Sequence, residues 1–355
     1  MFALGNKKSF GIDIGTQTIK IVEMYRRNNK FVVTNYSIWD DDLDSVIQQK
    51  NSDVSLSVQE ITNIIKLMTV KSGMSMVEAY IALPSYLAFF AVIQIPILDE
   101  KEFITAVPLE AKKNIPVPLS SVQLDWINLG INKQKELYNV LIIAIPNTVA
   151  DRYMEVSKSL NIKVKAFELD CFSTLRSIQL PKEQSCLIDI GARTTTVMVV
   201  DADKKLQTIQ SFDFGGNHIT ESIQKLKECS ILEAENLKKQ NGINGFDKDI
   251  SYLIQLKIKS FISTDVIRLL RVVNETMGVK IKSVHILGGA SKMSGIREYI
   301  DYIFKNEFKD QAINVSIALP ISNFSINGVH DDNLKLDIWN DLILSVGVSL
   351  KNYIE

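Results

Sequence analysis

Gly11-Ile12-Asp13-Ile14-Gly15-Thr16-Gln17-Thr18 lies near the start of the chain, and Leu187-Ile188-Asp189-Ile190-Gly191-Ala192-Arg193-Thr194 echoes it 176 residues later. In each copy an Asp-x-Gly step separates two apolar runs, the second covering 19–24 or 195–200. Self-similarity within one chain points to repeated structural units. Each copy reads as strand, tight turn, strand. Gly15 and Gly191 are expected to adopt positive φ and to let backbone approach a ligand closely. The turn N–H groups and the hydroxyls of Thr16, Thr18, Thr194 and Thr195 can ring an anion. Asp13 and Asp189, at the strand ends, tolerate a neighbouring phosphate only with a cation between them, which implies Mg²⁺ held through water. Two facing hairpins would clamp one polyphosphate. An ordinary hairpin turn is the competing reading; two copies in equivalent halves disfavour it.

A third element has the chemistry to close such a pocket. Ser283-Val284-His285-Ile286-Leu287 reads as a buried strand, Gly288-Gly289-Ala290-Ser291 as a turn, and 292–304 as a helix. Strand, glycine turn and helix start together let backbone face a nucleotide.

The rest of the sequence narrows the class. At 355 residues with 46% hydrophobic content, the chain is long enough for two or more buried cores. Forty Lys and Arg against 41 Asp and Glu leave a net charge of −1, so no basic field invites nucleic acid. Cys171, Cys186 and Cys229 are odd in number and lack metal-ligand spacing, and no secretory leader precedes them. A reducing cytoplasm is the expected compartment. The three histidines, His218, His285 and His330, are too scattered for a zinc site. Residues 79–98 run without a charge, long enough to span a bilayer. Pro84-Ser85 interrupts them and β-branched residues abound, so they read as two buried strands, 79–83 and 87–95, joined by a turn. The acidic run Asp40-Asp41-Asp42-Leu43-Asp44 reads as a solvated loop. A long amphipathic helix is expected over 254–273.

The two hairpins and the Gly-Gly turn, in this order, resemble the phosphate 1, phosphate 2 and adenosine motifs of the actin/Hsp70/sugar-kinase superfamily. Lys20 follows Asp13 by seven residues, the offset of the phosphate-contacting lysine in actin. Finer features are similar to the PilM/FtsA branch and to the PilM family within it. These are Asp213-Phe214-Gly215-Gly216-Asn217-His218-Ile219-Thr220, then Ala234-Glu235-Asn236-Leu237-Lys238, Ala192 in place of a third glycine, Ile115-Pro116-Val117-Pro118, and the closing run Leu344-Ser345-Val346-Gly347-Val348-Ser349-Leu350-Lys351. The resemblance covers nearly the whole chain.

It implies an α/β, actin-like (ribonuclease H-like) two-domain ATPase fold with a nucleotide cleft and an inserted subdomain called 1C. The implied cofactor is ATP or ADP with Mg²⁺, Mn²⁺ being admitted. The implied contacts are Gly15, Thr16, Gln17, Thr18 and Lys20 from the first hairpin and Gly191, Ala192, Arg193 and Thr194 from the second. Gly215, Gly216 and Asn217 follow at a helix start, with Asn217 as a good N-cap. Gly288, Gly289 and Ala290 complete the set. Arg193 either touches phosphate or projects into solvent. Glu235 and Lys238 share a helix face; the family reading is a pair gripping the ribose, and the residues alone also allow a surface ion pair. Asp13 and Asp189 would serve the metal through water. The catalytic candidates are Asp13, Glu168 and Asp170. Glu168 and Asp170 alternate at a strand end and should face one side, where either can position water; Asp170 also suits an N-cap. Turnover of ATP is left open.

By the same resemblance, 1–84 with 166–181 and the helix of 336–355 would form subdomain 1A. Residues 85–165 would form 1C, 182–214 with 281–335 would form 2A, and 215–280 would form 2B. The implied function is a cytoplasmic, ATP-binding scaffold of type IV pilus or related secretion or competence machinery. It would bind the cytoplasmic N-terminal tail of an inner-membrane PilN-like protein in a groove between 1A and 1C, near 83–89, where Tyr86, Phe89, Phe90 and Phe103 are either groove or core. That partner would hold it at the inner face of the cytoplasmic membrane. Contacts with pilus motor ATPases and a platform protein, and self-association, are also admitted. The alternative is an FtsA-like division protein forming actin-like filaments on the membrane; the sequence ends at Glu355 without a basic amphipathic tail, which argues against it.

Overall fold

The computed structural model describes residues 8–40, 56–132 and 136–354. The chain begins with β1 (Ser9–Ile14), β2 (Thr18–Arg27) and β3 (Lys30–Asp40), followed by α1 (Val58–Ser72) and β4 (Glu78–Leu83). A short 3₁₀ turn at Ser85–Leu87 leads to β5 (Phe89–Pro96), α2 (Glu100–Ala111), β6 (Val122–Asn132), β7 (Leu137–Pro146) and α3 (Asn147–Leu160). Then come β8 (Lys163–Leu169), α4 (Asp170–Ser177) and β9 (Ile178–Gln179). The second half opens with β10 (Ser185–Ile190), β11 (Thr195–Val200) and β12 (Leu206–Phe212). Helices α5 (Gly216–Lys227), α6 (Ile231–Asn241), α7 (Lys248–Phe261) and α8 (Ile267–Met277) follow, the last two joined by a π-helical turn at Ile262–Val266. β13 (Ser283–Leu287), α9 (Ile296–Glu307), β14 (Asn314–Ile317), β15 (Leu319–Pro320), β16 (Phe324–Ile326) and α10 (Asp332–Ile354) complete the chain.

The repeat seen in the sequence is a repeat of topology. One sheet runs β16-β3-β2-β1-β4-β8 and the other β12-β11-β10-β13-β14. In each, an antiparallel meander of three strands is extended on its far side by two parallel strands. The echoed motifs occupy β1 and β10, the strands where meander and parallel segment meet. Both are central strands, paired antiparallel on one side and parallel on the other, and their apolar residues are buried. Every residue of β1 is buried.

Between β4 and β8, which pair with each other, the chain leaves the first sheet. It builds a separate antiparallel sheet, β5-β7-β6, with α2 packed on β5. That unit has its own core of Ile93, Val107, Val140 and Ile142 among others. The uncharged run 79–98 therefore divides between β4, the 3₁₀ turn and β5, as two strands around Pro84-Ser85. Among the described residues, no helix is long and apolar enough to cross a membrane. Phe89 and Phe103 pack on the core of the three-stranded unit and Phe90 on that of the first sheet. Phe103 meets Tyr138 edge to face at 5.5 Å.

Helix α10 closes the first half by crossing β1 and α4 at very short range. A Cβ on Gly347 would stand 1.9 Å from Ser173 O, and one on Gly11 2.0 Å from Ser345 O. Only glycine permits these crossings.

Several boundaries depart from expectation. The helix expected over 292–304 is a 3₁₀ turn, Gly289–Lys292, then α9 from Ile296. Gly295 between them has φ +79°, a left-handed residue that breaks the run. The helix expected over 254–273 extends in both directions and carries the π-helical turn. Asp40 closes β3, exposed; residues 41–44 of the acidic run lie outside the described residues.

Candidate functional site

The two repeated hairpins turn towards one another across a cavity of about 340 Å³. The first sheet lines it with Asp13, Gly15, Thr16, Gln17, Thr18 and Lys20. The second lines it with Asp189, Gly191, Ala192, Thr194 and Thr196, and the turn after β13 with Gly288 and Gly289. Asp170, at the start of α4, also lines it, as do Asn340 and Asp341 of α10.

Each hairpin is closed by one backbone bond: the Gly15 N–H donates to Thr18 O (2.9 Å) and the Gly191 N–H to Thr194 O (3.0 Å). Neither glycine has positive φ, contrary to expectation. Their requirement is space. A Cβ would lie 3.1 Å from Thr18 O at residue 15 and 3.0 Å from Thr194 O at residue 191. Gly288 does have positive φ, +76°, and a Cβ there would fall 2.4 Å from Asp189 Oδ1. Strand register then places the polar groups. Asp13 pairs with Lys20 across β1–β2, and Asp189 pairs with Thr196 across β10–β11. Lys20 Nζ lies 3.9 Å from Asp13 Oδ2. Lys20 and Thr196 are equivalent positions, seven residues after each Asp; applying the Lys20 offset to the second copy would have found Thr196.

Among the described residues, Asp13, Asp40, Asp170, Asp189 and Asp341 all line this cavity, and three of them are raised by burial. Burial raises Asp13 above the usual carboxylate range, with Lys20 opposing it. Burial pushes Asp189 up to about 6, Lys20 lowering and Asp13 raising it. Asp170 is pushed up to about 7 by burial, countered by the Ser85 hydroxyl and reinforced by Asp189 and Asp13. A site that raises three carboxylates is one where added positive charge is favoured.

The remaining expected residues lie elsewhere. Arg193 is exposed and does not line the cavity. Thr195 is buried and its hydroxyl donates to Phe214 O at 2.7 Å, so it is not free to meet an anion. Gly215, not Asn217, is the N-cap of α5, and His218 Nδ1 accepts from the Gly215 N–H. The Gly216 and Asn217 N–H groups donate to Gly191 O (2.9 Å) and Ala192 O (2.8 Å). The helix start thus clips onto the second hairpin from behind. Ala290 is buried under the Gly-Gly turn.

Glu235 and Lys238 are not a surface pair. Both are buried, and Lys238 Nζ donates to Glu235 Oε2 (2.6 Å), Thr220 Oγ1 (2.7 Å) and Gly216 O (3.1 Å). They brace the α5 start from behind the second hairpin and do not line the cavity.

Glu168 and Asp170 do not face one side. β8 ends at Leu169 and Asp170 is already helical, so strand alternation stops between them. Glu168 turns away into a bidentate bond with Arg176, both contacts at 2.6 Å, with Ser173 at 2.9 Å and Lys351 at 3.3 Å. These partners hold its pKa low against burial. Of the two, Asp170 is the one in the cavity.

Comparison with known proteins follows this geometry. The family model described as type IV pilus assembly protein PilM matches residues 11–353. The PilM-PilN type IV pilus biogenesis complex contains a similar chain, with TM-score 0.78, 18% identity, and 99% of this chain and 100% of that one covered. The ethanolamine utilization protein EutJ from Carboxydothermus hydrogenoformans is similar at TM-score 0.55 and 13% identity, over 98% and 90% of the two chains. MreB5 of Spiroplasma citri bound to ADP is similar at TM-score 0.51 and 13% identity, over 98% and 99%. The fold is thus actin-like.

Proposed function

The chain belongs to the PilM family of type IV pilus assembly proteins, and from that membership we propose that it is an ATP-binding scaffold of the pilus machinery. The observation that carries the reading is the convergence of both hairpin turns, Gly288-Gly289 and three raised carboxylates on one cavity. The turns suit a polyphosphate, and the Gly-Gly turn suits the nucleoside end.

The carboxylates suit a divalent cation. Among the described residues, no three His, Cys, Asp or Glu side chains stand close enough to ligate a metal directly. Asp13 and Asp189 would hold Mg²⁺ through water while phosphate oxygens complete its shell, as this small cation prefers. Bound there, Mg²⁺ supplies charge neutralisation for the phosphates. Lys20 adds a second positive charge beside Asp13. Asp170, the catalytic candidate that lines the cavity with Asp13, would orient a water in any turnover, and the nucleotide acts as a conformational ligand. Glu235 and Lys238 act from behind the site.

The partner reading rests on family and on the likeness to a PilM chain solved with PilN. The cytoplasmic tail of a PilN-like inner-membrane protein would dock as an extended peptide between the first sheet and the three-stranded unit. That contact would keep the chain at the inner face of the membrane. The FtsA-like alternative gives way to the PilM family match.

Calorimetric titration of ATP with Mg²⁺, and then of the synthetic tail peptide into apo and loaded protein, tests the proposal. ATP binding that EDTA abolishes, and a peptide affinity that differs between the two states, are expected. An absence of heat with ATP would refute the nucleotide reading; equal peptide affinity would refute nucleotide control.

A further inference from the structure

The chain passes from β4 into β5 through Pro84-Ser85-Tyr86-Leu87, and this turn touches four parts of the molecule at once. Ser85 is 1% exposed. Its Oγ and its backbone N–H both donate to Asp170 Oδ1, the N–H at 3.1 Å. The same Oγ accepts from the Cys171 N–H at 3.3 Å. One hydroxyl therefore joins the cavity carboxylate to the first turn of α4. Pro84 and Tyr86, on either side of Ser85, line the cavity themselves. Two residues after Leu87, β5 begins the three-stranded unit. The 3₁₀ turn and β5 also pack against β12, in the second sheet.

Asp170 cannot shift without disturbing Ser85, and Ser85 cannot shift without disturbing the entry to β5. Main-chain and hydroxyl bonds from one buried residue to one carboxyl oxygen leave little freedom. The turn is the physical connection between the cavity, the far sheet and the three-stranded unit that coupling requires.

We propose that Ser85 is a positioning residue, fixing the Asp170 carboxylate and transmitting the state of the cleft to the three-stranded unit. This rests on the nucleotide reading above. It goes further by assigning the route: nucleotide moves or re-bonds Asp170, Ser85 follows, and β5 carries the change outward. A serine that merely ended β4 would stabilise the fold equally in both states and transmit nothing.

Hydrogen–deuterium exchange on the full chain, with and without a saturating non-hydrolysable ATP analogue and Mg²⁺, tests the route. In the wild type, nucleotide should slow exchange at both hairpin turns and change it by at least about threefold within 89–146. Ser85→Ala, checked for folding by its melting curve, should keep protection at the turns and lose the change within 89–146. Ser85→Thr, which retains the hydroxyl, should restore it. Should Ser85→Ala not fold, Ser85→Cys, which keeps the side-chain size but replaces the hydroxyl with a weak thiol donor, must give the same loss. A wild-type response in Ser85→Ala would overturn the proposal. So would protection of the turns with no change within 89–146 in the wild type. No protection at the turns would instead refute the nucleotide reading, and this proposal with it.

Discussion

Gly288 lies so close to Asp189 that a Cβ on residue 288 would stand 2.4 Å from the Asp189 Oδ1 oxygen. The Gly288-Gly289 turn and the second-hairpin carboxylate are therefore set by one contact. In the parallel register Asp189 faces Leu287, and Gly288 follows directly. A side chain at 288 must push the carboxylate aside or move the turn.

Gly288→Ala is expected to damage both fold and site. Positive φ alone makes alanine unfavourable by about 1–2 kcal/mol, and the clash adds to it. Displacement of Asp189 should weaken Mg²⁺-dependent ATP binding by about tenfold or more, since 1.4 kcal/mol is a factor of ten. Gly289→Ala is the control. Its Cβ would meet no protein atom within 4 Å, so the melting curve should change little even where the added methyl, facing the cavity, alters affinity. Titration of a fluorescent ATP analogue, together with melting curves, checks both.

The raised carboxylates of the cavity predict a pH dependence with a definite sign. Asp170 at about 7 and Asp189 at about 6 lie above their ordinary 3.8. In that window the folded protein binds more protons than the unfolded chain. These groups therefore favour folding below pH 4 and lose that contribution as pH rises through 6 and 7. Glu168 and Glu235, held low, act oppositely in more acidic solution. The nucleotide–cation complex needs the deprotonated carboxylates. Affinity for Mg²⁺–ATP should rise between pH 6 and pH 8, while apo stability should not. An affinity flat across that range would contradict the assignment of Asp170 and Asp189 to the site.

The sequence made the duplicated core legible because its signal is local: Asp-x-Gly between apolar runs at Asp13 and again at Asp189. The turn at Pro84-Ser85 was legible for the same reason. What escaped was long-range. Nothing near Asn340 or Asp341 says that α10 returns to the cavity wall. Ser85 reads as a turn residue until folding brings Asp170 to its hydroxyl. Glu168 reads as a cleft carboxylate only if strand alternation continues past Leu169, where β8 in fact ends. Its true partner, Arg176, lies eight residues on and only faces it once α4 has formed. At Gly15 and Gly191 the expectation of positive φ is not met. Their φ is ordinary, and the crowding by Thr18 and Thr194 oxygens appears only in three dimensions.

Arg176 is expected to be a stability residue and not a binding residue. Its guanidinium satisfies both Glu168 oxygens and donates to Gly347 O at 3.0 Å, tying α4 to α10. Arg176→Ala strands a buried carboxylate with Lys351 as its remaining cation. Breaking one side of such a pair is destabilising by about 3–5 kcal/mol. Arg176→Ala with Glu168→Gln should recover part of that loss, since the uncompensated charge is gone. Chemical denaturation of the single and double variants measures the recovery. ATP affinity of the folded fraction should stay near wild type in both.

Two lysines near the site offer a comparison in which burial decides the size of the effect. Lys292 Nζ meets Asp341 Oδ1 at 2.7 Å, joining the Gly289–Lys292 turn to α10. Both side chains are more than a third exposed, so solvent screens the pair and Lys292→Ala should alter stability by no more than about 1 kcal/mol. Lys238 makes a bond of similar length, 2.6 Å, to Glu235, but its side chain is only 10% exposed. Burial lowers the Lys238 pKa despite the carboxylate beside it. Lys238→Met leaves Glu235 with Thr220 and the more exposed Lys239, 3.5 Å away. A loss of about 3 kcal/mol is expected by the rule for broken buried pairs. Gly216 O also loses one of its donors, keeping the Thr220 hydroxyl at 3.0 Å, and the Gly216 N–H helps clip α5 to the second hairpin. Lys238→Met should therefore loosen the Gly191–Thr194 turn as well, raising its hydrogen exchange in the apo protein, whereas Lys292→Ala should leave that turn unchanged. Equal effects of the two substitutions on denaturation midpoint would show that the buried network does not brace the hairpin.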